Sequence, residues 1–108
     1  MAKYLLKVSY SGDGLKGVMK EGGTSRVKAV KRALEGVGGS LESFYFAFGA
    51  DDVYVIADVP DHAAAVAMAA TVATSGAISR YETVVLLTPS EIDEAMNVSV
   101  DYTPPGSQ

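Results

Sequence analysis

The stretch SLESFYFAFGADDVYVIADVPD, residues 40–61, decides the fold. Leu41 to Phe48 reads as a strand, with Leu41 and Tyr45 expected on one side and Phe44, Phe46 and Phe48 on the other. Val53 to Val59 is a second alternating run, in which Val53, Val55, Ala57 and Val59 interleave with Tyr54, Ile56 and Asp58. Only Gly49-Ala50-Asp51-Asp52 separates the two. So short a link cannot carry a parallel crossover, so the strands form a hairpin.

Working outward, Lys3 to Tyr10 alternates as a strand, and Ser11-Gly12-Asp13-Gly14 ends it. Residues 15–23 read as a loop or a single turn closing on Gly22-Gly23. A helix is expected after Thr24-Ser25, with Val27, Val30, Leu34 and Val37 turned inward and Gly38-Gly39 as its stop. Beyond the hairpin, Asp61 is placed to cap a helix running to about Thr74 and stopped by Gly76. A fourth strand spans Ile78 to Leu87. Thr88-Pro89-Ser90-Glu91 is a capping box that starts a short helix to about Met96. Val98, Val100 and Tyr102 then alternate before Pro104-Pro105. The order is βαββαβ with a small terminal helix, the α+β ferredoxin-like arrangement with a four-stranded antiparallel sheet. Residues 1–97 are expected to form the single domain and residues 98–108 a C-terminal tail.

The chain has 108 residues, enough for one domain and one core without staples. At 48 % hydrophobic and 20 % charged residues it is neither disordered nor collagen-like. The absence of cysteine removes disulfides, thiol nucleophiles and thiolate metal sites, and the lone His62 removes any site built on two imidazoles from one chain. Met1-Ala2-Lys3 leads straight into a strand pattern without a signal-peptide h-region, so a cytoplasmic location is expected. The run from Ala63 to Ile78 is too short and too often interrupted to span a bilayer. Bases crowd the first 32 residues, while Arg80 is the one base after them. Because Lys28, Lys31 and Arg32 fall on the outer side of a helix and the net charge is −4, this reads as a solvated face and no nucleic-acid partner is expected.

Strands apolar on both sides predict a covering partner. A lone sheet of this kind should be apolar toward its helices and polar toward water. Three phenylalanines on an open face would form a patch rare among monomers. The simplest cover is a second copy, sheet against sheet across a two-fold axis, the dimeric α/β-barrel association. From Ala63 to Ser79 there is no charged residue. Two readings stay open for that helix: tight packing on its own sheet, or a further subunit contact.

The candidate chemistry is sparse. Asp51 and Asp52 at the hairpin are either turn residues or a carboxylate site. Arg80 suits a carboxylate or phosphate through its planar fork, against an ordinary ion pair with Glu82. Arg26 in a first helical turn opposes the helix dipole, which suggests another reason for its position. Tyr10, with Tyr4, Tyr45, Tyr54 and Tyr81, either lines a cavity or packs a core. His62, beside a helix cap, is a general acid/base or haem ligand only if a second group joins it. No phosphate loop, nucleophile elbow or metal-binding histidine pair occurs, and no metal or cofactor is expected.

Taken in order, Gly14-Leu15, Arg26, Gly38-Gly39-Ser40-Leu41, Tyr45, Phe48-Gly49, Asp52-Val53, Pro60-Asp61, Arg80, Glu82-Thr83 and Thr88-Pro89-Ser90-Glu91 resemble the GYD family of small bacterial and archaeal domains. The chain departs from that pattern in carrying Asp51 where an aromatic residue is usual. The resemblance implies a dimeric α/β-barrel fold and assigns no reaction. The expected function is a homo-oligomer, a homodimer or larger, that binds a small molecule in a cavity at the sheet. Tyr10, Arg26, Asp51, Asp52 and Arg80 are the candidate binding residues. The alternatives are a cofactor-free oxygenase or isomerase of the barrel type, and a regulatory or assembly module without a pocket.

Overall fold

Residues 1–106 are described by a computed structural model. Its centre is strand β1 (Ala2–Tyr10), from which Tyr4, Leu6 and Val8 point into the core while Lys3, Leu5 and Lys7 point away. Helices α1 (Gly12–Glu21) and α2 (Gly23–Gly36) follow. Strands β2 (Ser40–Phe46) and β3 (Val53–Val59) form the hairpin, and α3 (His62–Ala73), β4 (Ile78–Leu86) and α4 (Pro89–Met96) complete the chain. The sheet order is β2-β3-β1-β4 with every neighbouring pair antiparallel. This is the α+β ferredoxin-like arrangement expected from the sequence. No helix among the described residues is long and apolar enough to cross a membrane.

The core lies on one face of the sheet. Tyr4, Leu6 and Val8 meet Val53, Val55, Ala57 and Val59, and Leu34 of α2 with Ala65 and Met68 of α3 close over them. Leu34 is fully buried. The outer side of α2 carries Lys28, Lys31 and Arg32, all exposed as the charge pattern predicted. Asp61 caps α3 by accepting from the Ala64 amide, and Thr88 and Glu91 form the capping box of α4.

Four local expectations change. Residues 15–23 do not form a loop: most of that segment belongs to α1, which Ser11 starts by accepting from the Gly14 amide. Helix α2 has no side-chain cap, because Gly22, at φ 87°, turns the chain where Thr24 or Ser25 was expected to act. Strand β2 ends at Phe46, which leaves Phe48 in the turn and fully exposed. Val98, Val100 and Tyr102 do not form a strand.

The largest correction concerns the phenylalanines. An irregularity between Leu41 and Ser43 lets Leu41 pair with Ala57 and Phe44 with Val55, so both lie on the helix side. Phe46 pairs with Val53 on that same side and packs edge-on to Phe44 at 5.3 Å. A Cβ on Gly23 would come within 2.8 Å of the Phe46 ring, so α2 sits directly on it. The open face is therefore built from Leu5, Tyr45, Tyr54, Ile56, Val84 and Leu86. At one end, Lys3 pairs with Glu42 and Asp58; at the other, Lys7 and Arg80 pair with Asp51 and Glu82.

Candidate functional site

Where β1 runs out, α1, the start of α2 and the end of α3 leave a gap. Ser11 donates to the Gly76 carbonyl through its hydroxyl and to the Ala77 carbonyl through its amide, tying the start of α1 to the turn before β4. Gly14 lets the helix press against that turn, since a Cβ there would stand 1.9 Å from the Ala77 oxygen. The result is a cleft of about 320 Å³. Tyr10, Val18, Arg26, Val72 and Ile78 line it, with Asp13 and Glu21 on the α1 wall. Tyr10, Arg26, Val72 and Ile78 also line a second hollow of about 40 Å³ that runs under the helices to Phe44, Met68 and Tyr81.

Arg26 and Tyr10 thus share one mouth. Burial raises the Tyr10 hydroxyl above its ordinary value, with the Arg26 guanidinium drawing it back down and the Asp52 charge pushing it up. Deeper in, the Tyr81 hydroxyl is buried without a well-formed hydrogen bond, and burial pushes it up to about 12 while the neighbouring Thr83 hydroxyl draws it back down. A buried hydroxyl without a good bond costs about 1–3 kcal/mol, so it stands ready to bond whatever polar atom reaches the hollow. A cleft with a cation in its wall, beside an apolar hollow that holds a buried hydroxyl, suits a compact molecule with an apolar body and an anionic group.

Asp52 supports the cleft indirectly. Its carboxylate accepts from the Tyr10 amide at 2.9 Å, and its own amide donates to the Val8 carbonyl, which fixes where β1 ends. Asp51 and Arg80 lie together elsewhere, at the edge of the open sheet face. Asp51 is 1 % exposed and accepts from the Ser9 hydroxyl at 3.1 Å, with Lys7 at 3.7 Å and Arg80 at 4.0 Å. Arg80 also meets Glu82 at 3.4 Å. A carboxylate already facing two cations is a locking point for the hairpin turn rather than a free ligand. Among the described residues no group of three or more carboxylates and histidines gathers to hold a metal ion.

His62 has a partner after all. Its Nδ1 lies 2.6 Å from the Tyr4 hydroxyl, which satisfies that buried ring at the margin of the core. The sequence brought Tyr10 and Arg26 into view separately, but not the wall they share, because α1 was read as loop. Tyr81 was visible only as one of several strand tyrosines. Its place opposite Val8, on the side that α3 covers, follows from the β1–β4 register.

The family model described as GYD domain matches residues 4–96. Neither the curated proteins nor the solved structures contain a match.

Proposed function

The chain belongs to the GYD domain family, and from that premise we propose a homo-oligomeric protein that holds a small molecule in the cleft between α1, α2 and α3. Residues 1–97 serve as the binding domain and 98–108 as a tail, of which Ser107 and Gln108 lie outside the described residues. The observation that carries the reading is the buried Tyr81 hydroxyl in a hollow that shares Tyr10, Arg26, Val72 and Ile78 with the cleft. Arg26 supplies the fork for a carboxylate or phosphate group, Tyr10 a second donor, and Val72 with Ile78 the apolar wall. Asp51 and Arg80 act in the fold and at the sheet face, outside this site.

The open sheet face supports association. Leu5, Ile56 and Val84 form an apolar strip between the two ion-pair clusters, the layout of an apolar centre with a charged rim. A second copy laid face to face covers it.

Native mass spectrometry of the protein purified from its own host tests both parts. A retained ligand mass that is present in the parent and at least ~10-fold depleted in Arg26→Ala is expected, since a charge-assisted bond contributes about 1.5–3 kcal/mol. A chain that carries no ligand, or one that Arg26→Ala retains unchanged, would remove the cleft from the reading.

A further inference from the structure

From Thr88 onward the described chain leaves the body. Every residue from 87 to 106 is exposed, and α4 buries none of its side chains. The consequence shows in size: the radius of gyration is 17.4 Å, where a compact chain of this length measures about 13 Å. The longest axis reaches 61 Å against 32 and 22 Å for the others. This arm is not a polar tail. Ile92 and Met96 share one side of α4, and Val98, Val100 and Tyr102 follow, all exposed to solvent. Its only charges are Glu91, Asp93, Glu94 and Asp101.

A second unpartnered surface lies on the body. Helix α3 is uncharged and apolar all round, a composition that belongs to a helix covered on every side. Only Ala65 and Met68 are buried, and Val66 and Ala70 face outward. Along it runs an apolar groove of about 430 Å³ bounded by Tyr4, His62, Val66, Ala70 and Thr83. The arm does not cover this groove, since it projects away from its own body.

We infer that the arm is an exchange element: Ile92 and Met96 of one copy enter the α3 groove of a second copy of this chain. The occupant is argued from the match. Among the described residues the arm leaves an apolar stripe uncovered and α3 an apolar groove, and a two-fold pair satisfies both at once by reciprocal exchange. This contact is separate from the open sheet face, so either can fail without the other.

The chain has no cysteine, so introduced pairs report on the contact without background. Full-length Val66→Cys and Met96→Cys chains are mixed and oxidised. The mixed cross-linked dimer is expected at roughly 10-fold the yield of a Lys20→Cys with Met96→Cys control, because a seated arm raises the local concentration of the two thiols. The double variant carrying both cysteines in one chain is expected to give linked dimers or larger species. Internally linked monomers would show the arm folding back on its own α3 and overturn the inference. Yields equal to the control would overturn it as well. Independently, in an Ile56→Asp background that disables the open-face contact, Ile92→Asp with Met96→Asp should weaken self-association roughly 100-fold, two buried apolar side chains being lost. Association unchanged by that pair would also refute the exchange.

Discussion

Tyr81 joins stability to binding at a single atom. Its hydroxyl is buried without a well-formed hydrogen bond, so Tyr81→Phe should stabilise the free protein by about 1 kcal/mol at neutral pH. The same residue sets an alkaline limit. With the folded value raised to about 12 from an ordinary 10, the folded chain keeps a proton between those values that the unfolded chain releases. Stability is therefore full below pH 10 and falls as the pH climbs through that window. Lys3 adds to the alkaline loss: its bonds to Glu42 and Asp58 raise it, so its contribution is present below 10.5 and disappears above its raised folded value. Urea midpoints at pH 7 and pH 11 separate the two. Tyr81→Phe should lose less between those conditions than the parent does, and equal losses would mean that Tyr81 is not the titrating group.

At the scale of elements, α1 shows what a sequence hides. Glycines at 12, 14 and 17 lower helix propensity and blur its periodicity, which is why the segment reads as loop. They are not equivalent. Gly14 is in contact with the Ala77 backbone, whereas nothing stands within 4 Å of a Cβ on Gly17. Gly14→Ala should cost about 2–3 kcal/mol by driving α1 off the β4 turn. Gly17→Ala should gain about 0.5–1 kcal/mol by removing backbone freedom from the unfolded chain. Opposite shifts in the thermal midpoint are the signature, and equal ones would dissociate α1 from the cleft wall. Elements with strong local chemistry were legible beforehand: the pairing of β2 with β3 as a hairpin, the Asp61 cap and the Thr88–Glu91 box all stand where their residues put them, though the hairpin link opens at residue 47. The faces of β2 were not. One extra residue near Glu42 moves Leu41 to the side of Phe44, and no local pattern announces an irregularity that the partner strand creates. The cleft shared that fate, since its wall is α1 and its members lie far apart in sequence.

For the whole molecule, the question is which surfaces meet another copy. Phe46 does not probe this, because it lies on the helix side of the sheet against Phe44 and the start of α2. Ile56, which faces Leu5 across the open side, is the residue to change. Ile56→Asp should shift sedimentation toward a smaller species while leaving the melting of the isolated subunit within about 0.5 kcal/mol, as expected for a site outside its own core. An unchanged sedimentation profile would leave the open face without a partner.

The sheet's two borders also differ, and this limits how copies can add strand to strand. On β2 the backbone is offset between Leu41 and Ser43, which makes that border a poor template for a newcomer. On β4 the run from Arg80 to Leu86 is in continuous register. A filament requires each molecule to offer a donor border and an acceptor border. With only one serviceable, two β4 margins can join across a dyad, and polymerisation halts there.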